Sequence, residues 1–323
     1  MANKYPNKYV LETGIGLQDV DHLKNSAYFL SESARYINGE ITLDELDDII
    51  ESYYRNHPDV DERTAEADKV SVRIAQIISE DSFTFSVGQL LAIHRYLFQG
   101  VLKHPGELRG YNFSKKEWVL DGASVTYGDF HELERTLQYD FEQEKKYGYA
   151  YRSMDETIEH LALFVANLWQ IHAFEEGNTR TTAVFFIKYL RSLGFDVTND
   201  IFSKNAWYFR NALVRANYTN IAKGIFEDRS YLIAFLRNLL LGENNDLKNC
   251  ELHIHAKKTA PSESKQTRVL KLIRGNPQIT AQELAKELNV SDRTIKNLLK
   301  TLTVDGRIIR KGGKRFGHWE VVE

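Results

Sequence analysis

One cysteine, Cys250, is all that 323 residues contain. No internal disulfide can form, and no cluster of thiolates can hold zinc. Proline is scarce at 5 residues, and the 42% hydrophobic content is ample for a core, which excludes wholesale disorder. Long apolar runs are missing: no stretch approaches the roughly 18 residues a membrane helix requires, so no membrane partner is expected. The opening MANKYPNKYV has no basic region followed by an apolar run and does not read as a secretory signal. Excess charge is missing too, and the formal net charge of -3 names no partner by itself. These absences lead to the expectation of a soluble, cytoplasmic chain.

What is present is unevenly distributed. Residues 265–323 carry 13 Lys and Arg against 6 Asp and Glu, a balance of +7, which leaves -10 for the rest of the chain. A small basic tail on an acidic body implies separate units. The boundary falls in LKNCELHIHAKKTAPSESKQT, where KKTAPSESK is small, polar and proline-containing. The expected divisions are an N-terminal helical region at 1–60, a core at 61–248, a linker at 249–263 and a C-terminal domain at 264–323.

Helical periodicity dominates before the boundary. DETIEHLALFVANLWQI places Ile158, Leu161, Val165, Leu168 and Trp169 on one face, and NTRTTAVFFIKYLRSLG ends in Gly194 as a helix stop should. Near the N-terminus, Gly39 ends one helix, and Thr42 with Glu45 forms a capping box for the next. One stretch breaks the pattern. In NFSKKEWVLDGASVTYGD, the β-formers Trp118, Val119 and Leu120 precede Asp121-Gly122, and Val125, Thr126 and Tyr127 follow it, which predicts a short hairpin. A plain surface loop is the other reading.

Between two apolar helices lies IHAFEEGNTRTT, residues 171–182. A helix is predicted up to His172 and another from about Asn178. A helix N-terminus offers unpaired N–H groups and the positive end of a dipole, so the bend can receive an anion. Gly177 lets the backbone approach a ligand closely. Arg180 adds a planar fork of donors suited to phosphate. Glu176 is a hard oxygen ligand for one Mg²⁺ against phosphates. His172 can take a proton from an attacking hydroxyl, and Phe174 points inward to fix the loop. An anion cradle, a metal ligand and a base suit phosphoryl or nucleotidyl transfer. The same residues also read as a polar helix–helix connection with a capping asparagine and a satisfied histidine. Asn217 and Tyr218 are candidates for bordering a nucleobase.

HAFEEGNTR resembles the Fic family signature: His-Pro-Phe, any residue, Asp or Glu, Gly-Asn-Gly-Arg, then an Arg three further on. EADKVSVRIAQII, LLAIHRYLFQGV, GELRGYNFS, LDGASVTYGDFHEL and FRNALVRANYTN extend the resemblance over about residues 61–248. It implies a mainly α fold, a helical bundle with a β-hairpin flap. It also implies an activity that moves AMP from ATP-Mg²⁺ to a Ser, Thr or Tyr hydroxyl of a target protein or of the chain itself. His172 would be the base, Glu176 the Mg²⁺ ligand, and Gly177, Asn178 and Thr179 the lining of the anion hole. Arg180 would clamp a more distal phosphate, and Trp118, Val119 and Leu120 would belong to the target-docking flap. The sequence departs from the signature at Ala173, at Thr179 in place of the second glycine, and at Ala183 in place of the last arginine. The hydroxyl-modifying chemistry is therefore firmer than the group transferred, and a different phosphate-containing group stays open. The family's inhibitory pattern of Ser or Thr, three residues, Glu, then Gly or Asn is missing, since the positions four before Glu176 and Glu243 are His172 and Leu239. ARYINGEITLDELDDII weakly resembles part of small antitoxins that bind Fic toxins, and plain helical packing is the preferred alternative.

The basic tail has its own pattern. Val269, Leu270, Leu272 and Ile273 mark one helix. Thr280 caps a second carrying Leu284, Ala285 and Leu288. Asn289 and Val290 turn, and Ser291 caps a third carrying Ile295, Leu298, Leu299 and Leu302. RIIRKGGKRFGHWEVV then reads as two strands around Gly312-Gly313. The order resembles a winged helix-turn-helix domain, a small α+β fold that places its second helix in the DNA major groove. Arg293, Thr294, Lys296, Asn297 and Lys300 lie off the apolar stripe, and Lys311, Lys314 and Arg315 sit at the wing tip, placed for phosphates. Winged helices also bind proteins, so a regulatory role is the alternative to DNA. Paired half-sites favour a homodimer. Two functions remain open: a transferase with a DNA-binding or regulatory tail, and a transcriptional regulator whose body is a degenerate nucleotide sensor or scaffold.

Overall fold

The computed structural model describes residues 5–256, 265–288, 290–304, 306–312 and 317–322. The chain divides into two compact units, Met1–Ala256 and Lys257–Glu323. The first is helical: α1 (Asn7–Gly16), α2 (Ala27–Ile37), α3 (Leu43–Asn56), α4 (Glu62–Ser79), α5 (Val87–Phe98), α6 (Leu133–Lys146), α7 (Met154–Ile171), α8 (Asn178–Ser192), α9 (Ile201–Ala216), α10 (Ser230–Leu241) and the single turn α11 (Asn249–Leu252). The caps read from the sequence are in place. Thr42 and Glu45 exchange backbone bonds as a capping box at α3, and α8 closes with Gly194 at φ 92°.

The centre of this unit is α8, buried without interruption from Asn178 to Leu190. A helix buried on all sides must be surrounded, and α4, α5 and α7 pack around it. Its polar residues finish the neighbours' backbones. Lys188 Nζ donates to the carbonyls of Ile77, at 3.1 Å, and Glu80, and Arg191 donates to that of Ile78. These are carbonyls that the C-terminus of α4 leaves without helical partners. Burial lowers Lys188 to about 8.

Residues 1–60 are not a separate body. α1 packs along α4 and α9, and a Cβ added at Gly14 would come within 2.3 Å of the Ser71 carbonyl oxygen. The antitoxin-like stretch lies across the end of α2 and the start of α3 and packs within this unit. The buried Asp68 of α4 joins these helices. It accepts from the Ser26 amide at 3.0 Å, the Ser26 hydroxyl at 2.6 Å, Asn25 Nδ2 at 3.1 Å and the Tyr54 hydroxyl at 2.6 Å. Residues 249–256, read as linker, fold onto the first unit. Asn211 bonds Asn249 at 2.7 Å, and the Tyr231 hydroxyl donates to the Glu251 carbonyl at 2.9 Å.

The second unit runs α12 (Lys265–Gly275), α13 (Ala281–Leu288), α14 (Asp292–Val304), β1 (Ile308–Lys311) and β2 (His318–Val321). The strands pair antiparallel, Ile308 opposite Val321 and Lys311 opposite His318. Val269, Ile273, Leu284, Leu288, Ile295, Leu299, Leu302 and Ile308 make its core. Thr280 and Glu283 cap α13, and Ser291 caps α14 through the Thr294 amide at 3.2 Å. The turn residue Asn289 and the wing residues Gly313, Lys314 and Arg315 lie outside the described residues.

Replacing Asp68 by alanine removes the acceptor of four donors, of which the Tyr54 hydroxyl is buried. It is expected to cost about 3 kcal/mol in urea unfolding, with Asp68→Asn costing less. An Asp68→Ala chain as stable as the parent would show that these helices are joined elsewhere.

Candidate functional site

The bend between α7 and α8 is built on two left-handed residues. His172 ends α7 at φ 52°, ψ 56°, and Gly177 precedes α8 at φ 72°, ψ 6°. A non-glycine residue in this region is sparingly populated and persists only where its surroundings hold it. At Gly177 the reason for glycine is also steric, because a Cβ there would lie 2.4 Å from the Phe98 ring. Asn178 braces the loop from inside: the Phe174 amide donates to Asn178 Oδ1 at 2.9 Å, and Asn178 Nδ2 donates to the Phe174 carbonyl at 2.7 Å. Phe174 is buried, as expected, and stacks on His94 at 3.7 Å between ring centroids.

His94 holds the loop through both nitrogens. The Gly106 amide donates to Nδ1 at 2.7 Å, so the network puts the proton on Nε2, 3.1 Å from the Glu176 carbonyl. Burial lowers this imidazole to about 4, against the partial support of its bond to Glu176. It is neutral at pH 7.

His172 is 2% exposed. Tyr127 stacks on it at 4.0 Å, and Phe113 and Trp169 meet it edge-on at 5.6 Å and 5.3 Å. Its Nδ1 lies 3.3 Å from the Trp169 carbonyl, which assigns the proton to Nδ1. Its Nε2 is buried with no hydrogen-bond partner. Burial holds the ring well below its ordinary pKa, helped by the positive charges of Lys115, Arg109 and Arg210. The result is a neutral imidazole with an unused lone pair at Nε2.

Arg109 fixes the backbone at this point. Its Nε donates to the His172 carbonyl at 2.7 Å, Nη1 to the Tyr111 carbonyl at 2.6 Å and Asn112 Oδ1 at 3.1 Å, and Nη2 to the Gly128 and Ile171 carbonyls. Its own amide donates to the Ala173 carbonyl at 2.9 Å.

The segment over His172 differs from the expected hairpin. Asp121 and Gly122 do adopt positive φ, 55° and 80°, as the two-residue turn requires. The flanks do not extend as strands, because Trp118–Leu120 wind into a 3₁₀ turn. Val119 and Leu120 are the reason: both side chains are drawn into the core. Trp118 alone of the three docking candidates presents its side chain, 49% exposed. The carbonyl of Val119 is already used by the Ile254 amide at 2.9 Å, and Trp118 meets the His253 ring. Glu117 is buried and anchors the segment to α9 through Arg210, at 2.6 Å and 3.1 Å.

The other anticipated site residues divide into free and committed groups. The Glu176 side chain is exposed, with Lys115 Nζ 3.3 Å from Oε2. No group of three carboxylate, imidazole or thiolate ligands occurs among the described residues, so a metal here would draw its remaining oxygens from phosphate and water. Thr179 Oγ1 accepts from the Trp169 indole at 3.0 Å. Arg180 is 1% exposed and enclosed: Nη2 lies 2.6 Å from Glu66, Nε 3.0 Å from Asp21, and Nη1 3.0 Å from Gln18 Oε1. Asn217 is held by the carbonyls of Ala166 and Leu213, and Tyr218 is buried. His94, Arg109, Lys115 and Arg210 were not singled out from the sequence, and Tyr127 was named only as a β-former of the expected hairpin. His94 and Arg109 stand inside LLAIHRYLFQGV and GELRGYNFS, but no local spacing marks them.

On α14, Arg293, Lys296, Asn297 and Lys300 are exposed and Thr294 is half-buried. Lys296, Lys300, Arg310 and Trp319 line a groove of about 650 Å³ between α14 and the strands. Lys311 pairs with Glu320 across the strands.

The model of the Fic/DOC family matches residues 84–190, and that of an HTH domain matches residues 265–318. Among solved structures, a Fic family protein from Desulfovibrio desulfuricans G20 is 14% identical, with 80% of this chain and 75% of that one covered at a TM-score of 0.41. The N-terminal FIC domain of Bep8 from Bartonella sp. 1-1C is 16% identical, with 62% and 87% covered and a TM-score of 0.41. The N-terminal Fic domain of a Bartonella sp. AR 15-3 effector is 18% identical, with 55% and 82% covered and a TM-score of 0.40. No curated protein matches the chain.

Two buried neutral histidines set an acid limit. Below the ordinary value of 6.5 the unfolded chain binds protons that folded His94 and His172 refuse, so stability falls as pH falls. His94 alone is expected to cost about 2 kcal/mol from about pH 7.5 to about pH 5, read by urea unfolding at each pH. A flat profile over that range would show both rings protonated at no cost.

Proposed function

From a chain that carries a Fic/DOC family domain at residues 84–190 and a helix-turn-helix domain at 265–318, we propose a Fic-type transferase that moves AMP from ATP to a protein hydroxyl. The observation that carries this reading is the buried Nε2 of His172, unpartnered while Nδ1 faces the Trp169 carbonyl. A polar atom left unsatisfied in the interior costs about 1–3 kcal/mol, which a purely structural histidine would avoid by turning to a partner.

In the proposed reaction His172 Nε2 accepts the proton of the attacking Ser, Thr or Tyr hydroxyl. The oxygen attacks the α-phosphorus, a P–O bond forms, and pyrophosphate leaves. The amino end of α8 and the Gly177 backbone face the developing charge. Glu176 is the residue that would hold Mg²⁺, which supplies charge neutralisation on the phosphates when bound. Since Tyr127 and Phe113 cover His172, the segment 113–127 has to shift before a hydroxyl reaches Nε2. Arg180 can serve a phosphate only by leaving Glu66 and Asp21.

That last point favours a second reading, a nucleotide-sensing scaffold or regulator with a degenerate site. Arg180 is neutralised, the Thr179 hydroxyl is occupied, and position 183 is alanine. Incubation of the full chain and His172→Ala with α- and γ-labelled ATP separates the two. The transferase reading expects α-label on protein from the parent chain and at least 100-fold less from the variant. γ-Label would name a different transferred group, and equal labelling by both chains would remove the role of His172.

The helix-turn-helix domain is proposed to bind duplex DNA. Its +7 balance supplies the sequence-independent attraction, and α14 presents Arg293, Lys296, Asn297 and Lys300 to the groove. With the full chain, Lys296→Ala and Lys300→Ala are each expected to reduce the slope of log affinity against log salt by about 1. Unchanged slopes, or binding indifferent to salt, would place these lysines off the DNA.

A further inference from the structure

The cations around the bend are not equally available. Arg109 is spent on backbone carbonyls, Arg210 on the buried Glu117, and Arg180 on Glu66 and Asp21. Where the Fic signature has its last arginine, this chain has the buried Ala183. The exception is Lys115, which contacts one exposed carboxylate, that of Glu176, at 3.3 Å with side chains 28% and 51% exposed. We propose that Lys115 is a phosphate-binding residue of the transfer site, which neutralises Glu176 in the metal-free chain and turns to the phosphate chain when nucleotide and metal arrive. This inference rests on the transferase reading.

Three observations support it. The backbone of Lys115 is pinned, its amide donating to Ser124 Oγ at 3.1 Å, so the side chain has a fixed root beside the bend. The ammonium lies 5.8 Å from the centre of the Phe113 ring, which itself covers His172. Its positive charge also disfavours a proton on His172, after burial itself. An ion pair this exposed holds weakly in water. A divalent cation outcompetes a single ammonium for a hard carboxylate, and the freed ammonium is then a flexible point charge within reach of phosphate oxygens.

The test uses the full chain, with Lys115→Ala and Lys115→Arg, and two probes: ATP with Mg²⁺ by calorimetry, and Mn²⁺ alone by paramagnetic resonance. Lys115 is on a loop rather than in the core, and melting temperatures verify that each variant folds. Lys115→Ala is expected to bind ATP about tenfold more weakly, the loss of one charge-assisted contact, while Lys115→Arg stays near the parent. Mn²⁺ alone should bind the alanine variant more tightly than the parent, since its competitor is gone. If the parent binds ATP and Lys115→Ala binds it equally well, the inference is overturned and the transferase reading stands, whatever Mn²⁺ does. A parent chain that binds no nucleotide overturns both.

Discussion

The guanidinium of Arg109 is the contact on which the site depends. Helix α7 ends in a bend with carbonyls at Ile171 and His172 that no helical N–H can reach. Arg109 collects both, and from the other side it collects Tyr111 and Gly128, the two ends of the segment that covers His172. One planar fork therefore sets the left-handed turn at His172 and fixes both ends of its cover. A lysine could not do this, because a point charge cannot satisfy several divergent acceptors in one plane.

Electrostatics then divides the surroundings in two. Inside the fold, charge is paired and buried: Arg180 with Glu66 and Asp21, and Arg210 with Glu117. Breaking such pairs is costly because the remaining charge stays in a poor solvent. At the surface, Glu176 and Lys115 are partly in water, and a pair so exposed is held weakly. The buried pairs hold the frame, and the exposed pair is the part proposed to respond to a ligand. His172 lies between, neutral because it is buried and surrounded by positive charge.

The sequence made the helices and the bend legible because their determinants are local. The capping box of Thr42 and Glu45, the Gly177 turn before α8 and the caps of α13 and α14 involve residues within a few positions of each other. The 113–127 segment was harder. Alternating β-formers around Asp121-Gly122 signalled a hairpin, and the turn formed, yet Val119 and Leu120 went to the core and the flanks did not pair as strands. Pattern identified the turn, but burial on the helical body decided the backbone around it.

The amino-acid order alone determined that this chain is two units of opposite charge, helical first and winged last, with His172, Glu176 and Arg180 in one stretch from the end of α7 to the first turn of α8. Their spacing is written within nine residues, and helix geometry does the rest. Tertiary structure alone decided what those side chains face. Arg180 meets Glu66 and Asp21 across more than a hundred positions of sequence, and His172 meets Tyr127 and Arg109 across more than forty. Such pairings follow from how helices pack, and no local signal carries them, so the order of residues could assign a role to Arg180 but not reveal that carboxylates already hold it.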